Sequence, residues 1–118
     1  MRSSSGEVKI YNILLANHFD FEEEYSFDDL VSSSGRPLRF DFAVFDENGD
    51  VDFLIEFNGI QHYKPVTRYG GGPGLDKQRY NDTQKKLYCA QHNIPLVVIP
   101  YFDEGRISYD YIMTKAGY

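Results

Sequence analysis

Residues Leu38 to His62, LRFDFAVFDENGDVDFLIEFNGIQH, restrict the possible folds more than any other stretch. From Arg39 to Phe45 the chain alternates, with Phe40, Phe42 and Val44 on one face and Asp41, Ala43 and Phe45 on the other. Val51 to Phe57 is rich in the aromatic and β-branched residues that suit a pleated surface. Between these arms lies Asp46-Glu47-Asn48-Gly49-Asp50, and Asn-Gly tolerates the positive φ that a tight hairpin turn demands. A two-residue turn at Asn48-Gly49 pairs Ala43 with Leu54 and Asp41 with Glu56. Acids directly opposite one another lie about 4.5–5.5 Å apart at Cβ. Like charges so placed weaken a sheet and ask for a cation, of which a divalent metal held by oxygen ligands is the natural one. A three- or five-residue loop instead shifts the register by one and sends the acids to opposite faces, one solvated and the other ion-paired, for instance with Arg39. On the hairpin alone both registers stay open.

Composition bounds the remainder. The 118 residues form one domain, 1–118, with a modest core, and the 16% aromatic content belongs to a folded chain. One cysteine, Cys89, leaves no disulfide framework or cysteine zinc site within a monomer. With no signal-like or membrane-spanning run, the expected setting is intracellular, without a membrane partner. A net charge of −6 argues against a protein that coats nucleic acid, but not against a nuclease whose acids are offset by metal.

Ser4 and Glu7 have capping-box spacing, and a helix with an apolar side from Val8 to Leu15 is expected up to about Ala16. A strand is expected from near Phe21 to Phe27, and a flexible glycine-rich loop over 70–74. Leu75 to His92 reads as a second helix that buries Tyr80, Thr83, Leu87 and Ala90. Ile94 to Pro100 reads as an interior strand covered on both faces, and Ile107 to Lys115 as a last helix. The expected architecture is α/β: a small mixed sheet, a β-meander plus one further strand, flanked by helices, with the hairpin acids in its middle.

RFDF, then Glu56 fifteen positions after Asp41, then IEFNGIQHY resembles the core of the PD-(D/E)xK nuclease superfamily. More narrowly it is similar to the branch containing very-short-patch-repair endonucleases, related homing endonucleases and small phage nucleases. There a glutamate-bearing helix precedes the hairpin, and a helix with Asp and basic residues follows; Glu7, Asp76 and the LVVIPY strand fit that order. The resemblance implies a restriction-endonuclease-like core and a metal-dependent endonuclease acting on DNA, with Mg²⁺ or Mn²⁺ held by Asp41 and Glu56. It implies further catalytic roles for Glu7, Gln61 and His62, and an enzyme that is intracellular and acts in a host cell if phage-encoded. The superfamily's usual Lys two positions after the glutamate is Asn58 here, and Lys77, Lys85 or Lys86 could reach in from the following helix instead. Asn58 and the acidic charge equally suit a nuclease-like fold that no longer cuts and binds nucleic acid or a partner protein, and DNA is not separable from RNA.

Other residues carry plainer alternatives. Glu7 serves as a capping acceptor, His62 as a loop residue, Asp76 as a helix-dipole partner, and His18 and His92 as structural residues at helix ends. Lys64, Arg68, Lys77, Arg79, Lys85 and Lys86 gather half of the twelve cations between 64 and 86, as a solvated helix face or as a phosphate-contacting surface. A domain this small leaves room for a homodimer or a partner protein to supply specificity. Replacing Asp41 by Asn or Glu56 by Gln is expected to relieve repulsion and leave stability unchanged or raised.

Overall fold

A computed structural model describes residues 4–118. In chain order it forms α1 (Ser5–Ala16), β1 (Asp20–Val31), β2 (Pro37–Phe45), β3 (Val51–Asn58), α2 (Gly71–Gln91), β4 (Leu96–Pro100) and α3 (Tyr109–Ala116), with short 3₁₀ turns at Ile60–His62, Thr67–Tyr69 and Tyr101–Arg106. The sheet order is β1-β2-β3-β4; the first three strands are antiparallel, and β4 runs parallel to β3. This is the expected α/β architecture, a mixed sheet flanked by helices.

Two apolar clusters cover the two faces. Ile10 and Leu14 of α1 and Ile112 and Ala116 of α3 meet Phe42, Val44, Phe53, Ile55, Val97 and Ile99. On the opposite face Cys89 of α2 meets Ala43 and Leu54, with Phe40 and Leu38 beside them. Phe40 and Ala43 share a face although an odd number of positions separates them, so β2 twists between them, at Asp41. Asp41 is also where the β1 ladder skips a rung: Glu23 pairs with Phe42 and Tyr25 with Phe40, while Glu24 between them takes φ 51°. Irregularities of this kind re-aim side chains next to functional sites.

The hairpin reaches its register by an unexpected route. Phe45 pairs with Val51 across a five-residue loop, held by Asp46, whose side chain accepts the N–H groups of Asn48 and Asp50. A bulge then follows, and Val44 pairs with Phe53 and Ala43 with Leu54. The five-residue loop shifts the register by one and the bulge shifts it back. The pairing is the one a two-residue turn would have produced.

Four further expectations need correction. β1 runs to Val31, well past Phe27. β4 is an edge strand among the described residues, because the crossover through α2 delivers it beside β3 at the end of the sheet order. The glycines at 71–74 are not a loop but the first turn of α2: Gly70 supplies a left-handed N-cap with φ 94°, and a Cβ on Gly74 would lie 2.0 Å from the Tyr69 carbonyl oxygen. Finally, α2 does not bury Tyr80, Thr83, Leu87 and Ala90. Its inward stripe is Leu75, Gln78, Asp82, Lys85 and Cys89, spaced three and four apart, with Tyr80 and Leu87 exposed.

α1 begins with the expected capping box, the Glu7 N–H donating to Ser4 Oγ and the Ser4 hydroxyl to Glu7 Oε1. Gly6, in the same turn, lies against Phe57, and a Cβ there would fall 2.2 Å from the ring. That contact sets α1 down on the end of β3. Gly6→Ala gains up to about 1 kcal/mol in helix propensity but loses about 1–3 kcal/mol to overpacking. Thermal unfolding of this variant should show a lowered midpoint; a raised one would mean that the helix is not seated by this contact.

Candidate active site

The register that pairs Phe42 with Ile55 carries on to set Asp41 opposite Glu56. Bonding alternates along β3: the Leu54 N–H donates to Pro95 of the β4 side, so Phe57, of opposite parity, is turned toward β2. There the Phe57 N–H donates to Asp41 Oδ2 at 2.7 Å, and the Asp41 N–H, released by the missing β1 rung, donates to Glu56 Oε1 at 3.1 Å. Each acid is thereby gripped by the backbone of the other strand. The Phe57 carbonyl points to the same side of β3 as its N–H, toward Asp41.

Lys85 enters from α2. Its Nζ donates to both Glu56 oxygens at 3.2 Å, and both residues are buried, Glu56 6% and Lys85 8% exposed. Lys85 also lies 5.3 Å from the Phe40 ring centre. It is the lysine of the three that reaches in, and so it stands apart from the surface on which Lys64, Arg68, Lys77, Arg79 and Lys86 are exposed. Asn58 is buried as well, two residues along the same face of β3. Among the described residues its Oδ1 has no hydrogen-bond partner, and the residue borders a void of about 10 Å³, roughly the space of one water, shared with Lys85 and Asp82.

His62 follows on the first 3₁₀ turn. Its Nδ1 lies 2.9 Å from Asp82 Oδ2, and Gln78 donates to Asp82 Oδ1 at 3.2 Å. The carboxylate fixes the ring and leaves Nε2 as the nitrogen for proton exchange. Burial alone would raise Asp82, but the hydrogen bond and charge of His62 outweigh it and hold the carboxyl below its usual range. An open cleft of about 310 Å³ brings together Glu7, Asp41, Glu56, Gln61, His62 and Lys85, and Glu24 and Gln78 line it as well. All five predicted catalytic residues thus share one cleft. Asp76 is exposed on α2, and Arg39 pairs with Glu24 at 3.4 Å. Asp82, Lys85 and Gln78 complete the site, and the signal for them was their spacing on one stripe with Leu75 and Cys89.

Asp41 is pushed up to about 6 by burial, against the Phe57 hydrogen bond and with help from Glu7. Glu56 is pushed up to about 8, by burial first and then by Asp41, against Lys85. Among the described residues no three His, Cys, Asp or Glu side chains form a group able to hold an ion unaided. The donors present are two carboxylates and a carbonyl, all oxygen. Mg²⁺ and Mn²⁺ accept such a set, because they keep several waters and take one or two carboxylates. The residues fit such an ion; they do not form a closed cage.

No family model matches the chain, and no solved structure matches it. It is 26% identical over 84 residues to uncharacterized protein 307L of Invertebrate iridescent virus 6, an alignment covering 70% of this chain and 43% of that protein. The chain therefore spans less than half the length of that relative.

The Glu56–Lys85 pair corrects one expectation. Above pH 8, where the Glu56 carboxyl is ionised, Glu56→Gln leaves an ammonium buried without a counter-charge, which costs about 3–5 kcal/mol. Lys85→Met costs less, because Glu56 can take up a proton. Urea unfolding above pH 8 should rank Glu56→Gln as the more damaging change and show the double variant recovering much of the loss; simple additivity there would exclude a direct pair.

Asp41→Asn keeps the expected direction. A folded-state carboxyl raised to about 6 from its ordinary 3.8 holds a proton that the unfolded chain releases. Its stability is fully present below pH 3.8 and is lost as pH rises through about 6. Wild-type stability relative to Asp41→Asn should accordingly fall across this window in pH-dependent urea melts. A difference that is flat with pH would remove the burial argument for Asp41.

Proposed function

We propose that this chain is a metal-dependent nuclease that hydrolyses phosphodiester bonds, most readily in DNA, on a PD-(D/E)xK-like core. One observation carries the reading: paired acids on adjacent strands, locked by each other's backbone, with a buried lysine delivered to the second acid from a helix. An isolated structural ion pair has no use for the neighbouring Asp41, which repels Glu56 and raises its pKa.

The carboxylates of Asp41 and Glu56, with the Phe57 carbonyl, would hold Mg²⁺ or Mn²⁺. Such an ion supplies a water of lowered pKa and offsets charge that builds on the phosphate. Lys85 opposes the upward shift of the Glu56 carboxyl and presents N–H donors to a phosphoryl oxygen, the duty that a lysine at position 58 would have had. His62, aligned by Asp82, exchanges a proton through Nε2 with the attacking water or the leaving oxygen. Gln61 orients substrate from the rim. Glu7 acts from α1 on the same cleft, through its charge on Asp41. Lys64, Arg68, Lys77, Arg79 and Lys86 supply phosphate contacts, and a second copy or a partner protein supplies further sequence reading. The viral source of the one relative described accords with an enzyme that acts inside a host cell.

The rival reading, an inactive nucleic-acid- or protein-binding module, is favoured by Asn58 and the acidic charge. Lys85 weakens it, because the missing cation is restored from another element. The deciding assay incubates the protein with plasmid, single-stranded DNA and RNA, with and without Mn²⁺. Cleavage should need the metal and vanish in Asp41→Asn. His62→Ala should slow it by about 10²–10⁴-fold while Mn²⁺ binding persists. Lys85→Met should be inactive, and Asn58→Lys added to Lys85→Met should restore measurable cleavage, since residues 56 and 58 share a face. Wild-type Mn²⁺ binding without cleavage of any of the three would leave the binding module as the correct reading.

A further inference from the structure

His62 borders a second groove of about 380 Å³ on the β4 side of α2. One wall is Arg79, Thr83 and Lys86, spaced four and three apart and so on one stripe of the helix. Thr83 spends its hydroxyl on the Arg79 carbonyl, which leaves the two cations as that wall's charge. Among the described residues neither is in an ion pair, and the groove's own acid, Asp82, is committed to His62 and Gln78. The other wall is aromatic. Tyr63 lines the groove, and its ring lies 5.8 Å from Tyr101 and 5.9 Å from Phe102. Phe102 is 68% exposed; its ring meets Tyr63 at a tilt and Tyr101 edge-on, which extends the Tyr63 wall with apolar ring surface left in water.

We propose that this groove is a single-strand subsite: an unpaired nucleobase stacks on the Tyr63–Phe102 wall while its phosphate lies against Arg79 and Lys86. The inference rests on the nuclease reading and narrows its substrate to nucleic acid carrying an unpaired nucleotide beside the cleaved bond. A groove of this volume admits one small planar ligand and not a double helix. A cationic track with an aromatic platform is the chemistry by which unpaired strands are held without sequence preference. The position agrees, because the groove opens at the C-terminal ends of the parallel pair β3 and β4, with His62 as the partition from the acidic cleft. Three rings and two cations make a patch far smaller than a stable protein interface requires.

The test is fluorescence anisotropy without divalent metal, so that nothing is cut, using labelled oligothymidylate and a blunt duplex of equal length. Phe102→Ala should weaken single-strand binding roughly 5- to 150-fold and leave duplex binding unchanged. Arg79→Gln with Lys86→Gln should make the single-strand salt slope shallower by about 1.4. Thermal melts establish that each variant is folded, and Phe102→Leu, which keeps apolar bulk without a stacking face, should behave like the alanine variant. Unchanged single-strand affinity in Phe102→Ala overturns the subsite. So does loss of concentration-dependent self-association in that variant with DNA binding intact, which would make the rings a contact between copies. Metal-dependent cleavage of duplex by a wild-type protein that never binds the single strand overturns the subsite alone. A wild-type protein that binds no nucleic acid of any form overturns both readings.

Discussion

Every feature of the cleft leans on the buried contact between Lys85 and Glu56. Taking two charges out of water is costly, and hydrophobic residues of similar volume would often serve stability as well or better. The pair is tolerable here because its charges are shared: Glu56 Oε1 also accepts the Asp41 N–H, and the Phe40 ring faces the ammonium. The same contact ties α2 to β3 across the sheet face where the apolar cluster ends. Moving α2 by a fraction of a turn would strand the lysine, so the pair fixes the helix rotation. That rotation in turn presents Asp82 to His62 and turns Arg79 and Lys86 toward the second groove. Stability is exchanged for geometry.

The register of the hairpin was legible for a reason that the sequence did not display. Asp41 and Glu56 face each other because a five-residue loop and a bulge each displace the pairing by one, and the displacements cancel. Alternation along β2 and β3 carries enough buried side chains to demand this outcome, since a slip by one would turn Phe53 and Ile55 away from Phe42 and under α2, and Leu54 the other way. The turn chemistry was therefore misread and its consequence was right. Core burial decided the register, and the loop conformed to it.

Helix α2 shows the converse. Its existence was legible from length and composition, but its orientation was not, because the stripe it buries carries Gln78, Asp82 and Lys85 while Tyr80 and Leu87 face water. Periodicity finds a helix face by its apolar residues, and a face that serves a polar site hides from that test. The glycines at 71–74 misled for a related reason. They are poor helix formers, yet Gly74 must lack a Cβ for the chain to pass Tyr69, so close approach outweighed propensity. Only the first of these misreadings falls at the cleft, where Gln78 and Lys85 belong to its lining; the second lies at the helix start and is steric.

The cleft's own charge then bears on how a substrate could enter it. Four carboxylates, Glu7, Glu24, Asp41 and Glu56, face Lys85 and His62 across about 310 Å³, in a chain whose net charge is already −6. A phosphodiester approaching such a surface meets repulsion that one buried ammonium, already committed to Glu56, does not cancel. The pKa values of Asp41 and Glu56 are raised first by burial and then by a neighbouring acid, Glu7 for Asp41 and Asp41 for Glu56, so protons bind there more tightly than to an ordinary carboxylate. On the nuclease reading, anything that neutralises those acids lowers the barrier to the phosphate, and a bound phosphate must by reciprocity raise the affinity for whatever neutralises them. Cation and substrate would therefore bind as a coupled pair. On that same reading the exposed cations along α2, set apart from the acids, would provide the initial hold on the backbone, and the acidic cleft would admit it only when the charge has been balanced.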